Sequence, residues 1–296
     1  MSKPTINAID YKSECERIVS FIKMHVESRK ASGIALGLSG GLDSSVTAAL
    51  CARALSPERI SALMLPERDS SKESVIDAKL HAEQLGISHR VIDLTACLNE
   101  LGCYSDRASE VVKFKGGARA AVRLFPGLAR KGFLSNLQGS GSKHFREFLS
   151  FHRIKHRMRM VAVYHEAERS NLLVASCANR TEFEIGFFVR YGDDAGDIAP
   201  IKHLYKTQVF GIGKHIGVPQ RILEKKPSPD LFAEMKDEEI MGITYAELDT
   251  ILNALSKGMG IDEIVRTLDV SKRVVEYVVE IKQQSARLRD PPASLL

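Results

Sequence analysis

A chain of 296 residues is long enough to bury a full core, as one large domain or as a domain with an extension. Its 44% hydrophobic and 27% charged residues are ordinary for a globular protein. The formal net charge of +5 suits anionic ligands such as nucleotides but is too small to mark a nucleic-acid binder, and a solvated basic surface accounts for it equally well.

Cys15, Cys51, Cys97, Cys103 and Cys177 form no C-x-x-C pair, so free thiols in a reducing compartment are expected. The N-terminal segment MSKPTINAIDYKSECERI lacks the apolar run of a signal peptide, and no apolar stretch reaches the ~18 residues of a membrane helix. A cytoplasmic location, away from membranes, is expected.

Cys15, Ile18, Ile22 and Val26 recur every three to four residues and predict an amphipathic helix over 10–30. Gly33 ends it, and the apolar run IALGL at 34–38 reads as a short buried strand. A glycine loop follows, then an Ala-rich helix over 44–55 and a second strand over 60–65. Ser70 and Glu73 have the spacing of a capping box, opening a helix to about residue 85, and 90–94 reads as a third strand. The rhythm breaks over 104–151, a stretch rich in Lys, Arg, Gly and Ser that is expected to be an insertion, either a surface loop or a mobile lid. A helix over 154–168, a strand over 172–175, a polar loop over 189–203 and a helix from about 205 come next. After a Pro-rich turn at 227–229, three helices over 244–255, 261–268 and 271–288 make a small helical C-terminal portion. The alternation predicts an α/β fold, a parallel sheet with helices on both faces. Residues 1–256 are expected to form the main domain, with 257–296 a helical extension of it.

The strongest local signal is Gly37, Leu38, Ser39, Gly40, Gly41, Leu42, Asp43, Ser44 and Ser45. A strand ends, two glycines let backbone approach a ligand, and a helix begins at the serines, which makes a ready anion site. No Gly-Lys-Ser/Thr occurs, so this is not the P-loop of kinases, and the glycine spacing does not supply a Rossmann fingerprint. An acid inside an anion-binding loop, Asp43, calls for a cation between it and the phosphates.

This loop resembles the SGGxDS pyrophosphate loop of the N-type ATP pyrophosphatase superfamily. Further motifs narrow the resemblance. Arg157, Met158, Arg159 and Met160 are similar to the arginine helix of NAD synthetases, N-x-x-A-R-x-R-M. Asn179, Arg180, Thr181 and Glu182 resemble that family's N-K-S-E stretch, and YGDDAGDIAP at 191–200 matches its YGDG…D…P signature. LYKTQV at 204–209, PSPDL at 227–231, DEE at 237–239 and GITY at 242–245 continue it in order, so the resemblance covers roughly 33–103 and 152–256. It implies an adenine nucleotide alpha-hydrolase-like fold and ammonia-dependent amidation of deamido-NAD, driven by ATP through an adenylate.

The resemblance also implies roles. Asp43 and Glu182 look like the Mg²⁺ ligands, and Asp43 and Lys206 like the groups closest to the reacting phosphates. The loop residues, Cys177, Lys206 and Ser228 look like ATP contacts. Arg157, Arg190 and Asp197 align with residues that hold deamido-NAD. A homodimer is implied too. No glutaminase signature is recognisable, so the nitrogen donor is expected to be free ammonia or ammonia from a separate protein.

The pattern departs from the family on the acceptor side. Arg153 stands for its Asn, His156 for its Ala, Glu234 and Met235 for its Gly-Gln, and Gln284 to Arg287 for a terminal His-Lys. An AMP-forming ligase for a different acid therefore remains an alternative. A base-modifying, RNA-acting member lacks its cysteine pairs here, and the presence of Asp43, Glu182 and Lys206 speaks against a nucleotide sensor without turnover.

Overall fold

The computed structural model describes residues 8–104, 126–140, 143–225, 236–291 and 293–294. Helix α1 (Tyr11–Ser28) is capped by Asp10, whose carboxylate accepts from the amides of Lys12 and Ser13. Its buried stripe is Cys15, Ile18, Ile22 and Val26, as the spacing predicts. Strand β1 (Gly33–Gly37) runs into α2 (Leu42–Ala54), then β2 (Ile60–Met64), α3 (Lys72–Leu85), β3 (Ser88–Val91) and α4 (Thr95–Glu100). After α5 (Pro126–Gln138) and α6 (Lys143–Ser170) come β4 (Leu172–Val174), α7 (Arg180–Ile185), α8 (Lys206–Ile216) and α9 (Gln220–Leu223). The chain closes with α10 (Asp237–Met241), α11 (Tyr245–Ser256), α12 (Ile261–Leu268), α13 (Lys272–Gln284) and α14 (Ala286–Arg289). Among the described residues no helix is long and apolar enough to cross a membrane.

The four strands are parallel in the order β3-β2-β1-β4, with Ile34 of β1 paired to Ile60 on one side and Leu173 on the other. Side chains of β1 alternate between two cores, as strand geometry requires. Ile34 and Leu36 join α1, α2, α3 and α8 on one face; Ala35 joins Leu98 of α4 and Val163 and Ala167 of α6 on the other. The chain order reverses between β1 and β4, and ligands of open α/β sheets bind beyond the carboxyl ends of strands at such a point.

Several local expectations shift. The cap of α3 is Ser71, whose hydroxyl accepts from the Ser74 amide, while the Ser70 hydroxyl accepts from Glu67 in the preceding turn. The third strand ends at Val91, although Ile92 and Leu94 still donate to the Met64 and Pro66 carbonyls as the chain bends into α4. Helix α6 has 28 residues and begins at Lys143, eleven positions before the expected start; Phe145, Phe148, Leu149 and Phe151 already recur at helical spacing in its first turns, a signal that the Gly- and Ser-rich stretch before them obscured. Part of the stretch read as an insertion is core: Phe133 and Leu137 of α5 are buried against α7, α10, α11 and α13. Residues 105–125 lie outside the described residues. Helices α12 and α13 share that same core with α11, through Ile264, Val275, Val278 and Ile281 packed with Leu248 and Ile251.

Candidate active site

Beyond Gly37 the chain turns through Ser39, Gly40 and Gly41 into α2. Gly40 has φ +74°, and a Cβ there would lie 2.1 Å from the Ser74 carbonyl oxygen, so only glycine lets the loop seat on the first turn of α3. The Ser39 amide donates to Ser44 Oγ, and Ser39 Oγ lies 3.0 Å from Ser44 Oγ, which ties the loop across its mouth. Gly41 stands at the N-cap of α2 with no side chain to satisfy the first-turn amides. Amides left open in this way at a helix N-terminus are suited to an anion. Leu42, Asp43 and Ser44 line a cavity of about 360 Å³ together with Gly37, Leu38, Ser39, Gly41, Cys177, Glu182 and Lys206. Ser45 is fully buried and its carbonyl instead meets His81 Nε2 at 3.0 Å.

Three distant segments converge on one ion cluster. Lys206 Nζ lies 2.5 Å from Asp43 Oδ2 and 3.0 Å from Glu182 Oε1. Asn179 caps α7: its side-chain oxygen accepts from the Glu182 amide while its Nδ2 donates to Asp43 Oδ1 at 3.0 Å. Lys206 occupies the first position of α8, where the helix dipole repels a cation, so the two carboxylates must hold it there. Beneath it, Asp249 is fully buried; Thr181 Oγ1 donates to one of its oxygens and the Thr207 amide to the other at 2.8 Å. The Thr181 hydroxyl in turn accepts from the Lys206 amide, which locks α7 to α8.

Burial drives the Glu182 carboxyl up to about 8, opposed by Lys206 and reinforced by Asp43. Burial also disfavours the Lys206 ammonium, but Asp43, Glu182 and Asp237 override it and raise its pKa, so it stays charged. Asp237, at the start of α10, is likewise raised by burial and accepts from the Tyr245 hydroxyl at 2.7 Å. The wall beside the glycine loop thus carries three acidic side chains and one ammonium, oxygen donors that suit a cation once their protons are displaced. Cys177 lines the same cavity, and burial pushes its thiol up to about 12, so it is protonated at neutral pH.

The acceptor-side residues are placed differently. Arg157 Nε donates to the Arg190 carbonyl, and the Arg190 guanidinium donates to the Asp290 carbonyl at 2.7 Å. Asp197 Oδ2 accepts from the Val174 amide at 2.8 Å, which extends the backbone pairing beyond β4. None of the three lines the cavity around the phosphate loop. Ser228 lies outside the described residues.

The chain matches the family model described as NAD synthase over residues 14–124 and 135–292. It belongs to the NAD synthase family. It is 40% identical over 268 residues to the NH(3)-dependent NAD(+) synthetase of Thermotoga maritima, covering 88% of this chain and 94% of that protein. It is 36% identical to the enzyme of the same name from Archaeoglobus fulgidus, covering 95% and 99%. Among solved structures it resembles an NMN synthetase from Francisella tularensis, with TM-score 0.74, 25% identity and coverage of 97% and 99%. An NH3-dependent NAD synthetase from Campylobacter jejuni shares the fold, with TM-score 0.71 over 97% of this chain and 100% of that one at 23% identity.

The cavity has further walls to which sequence reading assigned no role, although it quoted Arg153, His156, Arg159 and Met160 as family positions. His152, Arg153, His156, Arg159, Met160 and Val163 line it along one face of α6. Their spacing is that of a helical stripe, and Arg157 falls off it because two residues turn a helix by about 200°. Extending the stripe back from Val163 would have selected Arg159 over Arg157. Arg159 reaches the Leu65 carbonyl and Ser70 Oγ, on the loop after β2. Asp193, inside the quoted YGDD motif, also lines the cavity; burial pushes its carboxyl up to about 6 and it accepts from the Val189 amide. Asn136 of α5 and Lys225 complete the wall, and no local signal marks either.

Proposed function

We propose that this NAD synthase chain joins ammonia to the carboxylate of deamido-NAD, consuming ATP and releasing AMP and pyrophosphate. The convergence of Asp43, Glu182 and Lys206 on the cavity that opens at the phosphate loop carries the reading. The acceptor carboxylate oxygen bonds to the α-phosphorus as the bond to pyrophosphate breaks. Ammonia then bonds to the acyl carbon, AMP leaves with the bridging oxygen, and a proton is lost from nitrogen. The first-turn amides of α2 hold phosphate oxygens, Lys206 offsets charge near the reacting phosphate, and the apolar residues Leu38, Leu65 and Val163 restrict water around the anhydride.

Mg²⁺ takes hard oxygen ligands, commonly one or two carboxylates together with substrate phosphates. Asp43 and Glu182 fit that demand: both are carboxylates, both border the cavity, and they already share one cation. Among the described residues no group of three or more His, Cys, Asp or Glu is arranged to hold a metal alone, so phosphates belong to the coordination proposed. Mg²⁺ there would supply charge neutralisation of the polyphosphate. A homodimer in the cytoplasm, with ammonia free or handed over by a separate protein, completes the proposal.

The likeness to an NMN synthetase, with Arg157, Arg190 and Asp197 turned away from the cavity, favours a mononucleotide acid as the second acceptor to test. The assay is release of AMP and pyrophosphate with ammonium against a panel of acids. Stoichiometric AMP and amide from deamido-NAD, and none with glutamine in place of ammonium, are expected. AMP release with the mononucleotide acid alone would move the assignment to the second reading.

A further inference from the structure

Lys225 follows α9 and lines the cavity beside the phosphate loop. Its Nζ donates to Ser74 Oγ at 2.7 Å and lies 3.4 Å from both the Gly40 carbonyl and Asp77 Oδ2. An ammonium has three donors. One of these is well used, and two are spent on contacts too long to be strong. Asp77 does not depend on Lys225, because Arg221 holds its other oxygen. With a side chain 31% exposed, Lys225 keeps access to the cavity at small desolvation cost.

The charge balance of the cavity gives those donors a purpose. Lys206 is enclosed by Asp43 and Glu182, with Asp237 acting on it as well, so its charge is already balanced within the fold. Arg159 is engaged with the Leu65 carbonyl and Ser70 Oγ on the loop after β2. A polyphosphate seated on the first-turn amides of α2 lies next to Gly40, whose carbonyl faces the Lys225 ammonium.

We propose that Lys225 is a phosphate-binding residue of this site. It exchanges its two long contacts for oxygens of the β- and γ-phosphates and stays with them as pyrophosphate departs. This rests on the ATP-cleaving function proposed above. No proton moves: the leaving oxygen gains negative charge as its bond to the α-phosphorus breaks, and the ammonium neutralises part of it. Charge-assisted hydrogen bonds of this kind are the strong ones.

Calorimetric titration with magnesium pyrophosphate, and separately with AMP, tests the assignment on the wild-type chain, Lys225→Met, Lys225→Arg and Ser74→Ala. Lys225→Met should weaken pyrophosphate binding about 10- to 100-fold while AMP binding moves less than about 2-fold, the loss of one charge-assisted contact. Lys225→Arg should recover most of the affinity, and the Met penalty should shrink at high salt. Ser74→Ala keeps the ammonium and removes its best fold partner, so it should keep wild-type pyrophosphate affinity. If Lys225→Met binds pyrophosphate like wild type, or Ser74→Ala matches the loss of Lys225→Met, the lysine only pins the loop and the proposal fails. Those outcomes leave AMP formation by the wild-type chain intact, whereas a wild type that neither binds pyrophosphate nor forms AMP overturns the proposed function together with this inference.

Discussion

Lys206 and Lys155 each lie between two carboxylates: Asp43 and Glu182 at 2.5 and 3.0 Å for the first, Glu67 and Asp69 at 3.0 Å each for the second. Both lysine side chains are 7% exposed. Around Lys155 the acceptors are saturated, since Glu67 also accepts from the Tyr104 hydroxyl at 2.6 Å and from the Asp69 amide. That cluster ties the loop after β2 to α6, and none of its three charged members lines the cavity. Around Lys206 every member lines the cavity, and Glu182 Oε2 makes only a 3.4 Å contact with the Asn179 amide. Equal ion-pair geometry therefore serves two ends. Oxygens facing an open volume distinguish the cluster proposed to act on ATP from the one that ties the fold together.

Neutralising an acid of the first cluster should break the comparison most sharply. Asp43→Asn or Glu182→Gln is expected to lower AMP formation by about 10²- to 10³-fold, the scale of removing one preorganised electrostatic group. The melting temperature should change little, because Lys206 keeps the other acid as a partner while repulsion between the two acids falls. Near-normal turnover in either variant at low Mg²⁺ would remove both from the metal assignment.

Lys155→Met should show the opposite signature, a loss of stability. Leaving buried Glu67 without its cation is expected to cost about 3 kcal/mol in denaturant melts, toward the low end for a broken buried pair because Asp69 is half-exposed. A Lys155/Glu67 double-mutant cycle checks it, with coupling near zero as the outcome that denies the pair its role.

The raised Glu182 carboxyl makes the first cluster pH-sensitive in a defined direction. Its folded pKa of about 8 exceeds the usual 4.5, so its stabilising contribution is fully present below about 4.5 and is lost as pH rises through about 8. The proposed Mg²⁺ binding would run the other way, since only the carboxylate would be a ligand. The Mg²⁺ concentration for half-maximal binding should fall as pH climbs from about 7 to about 9, and Glu182→Gln should flatten that dependence. A slope unchanged by the substitution would place the titrating group elsewhere.

The smallest effect is expected at Cys177. Its thiol, pushed up to about 12, should resist alkylation at pH 8, and Cys177→Ser should change kcat/KM by less than about 3-fold. Rapid inactivation by iodoacetamide that Cys177→Ser abolishes would contradict this reading.

Legibility followed the same division. The acidic pair was readable because Asp43 sits in a glycine loop, where a carboxylate has no business without a cation, and because Glu182 follows the helix cap Asn179 in a contiguous motif. Lys155 carried no signal, since a lysine on a basic helix reads as solvated surface until Glu67 and Asp69 are seen to reach it. The expected lid stretch likewise concealed α5: Ala129, Phe133 and Leu137 recur every four residues and are buried, but the Gly, Lys and Arg around them read as an insertion.

The resemblance to NAD synthetases pointed to Glu182 and Lys206; by itself the sequence determined the α/β order and the glycine loop with Asp43 in it. These depend on short-range geometry: strand alternation, a glycine at positive φ, and caps within a few residues of what they cap. Only the tertiary structure showed that the stripe of α6 carrying Arg159 borders the cavity, while Arg157 donates to the Arg190 carbonyl. It also brought Asn136 and Lys225 to the wall from elements far apart in the chain, and committed Asp197 to the backbone beside β4. The reason is separation in the chain: a stripe can be read from α6 alone, but the elements that face it, and so the cavity it borders, come from segments far away in the sequence.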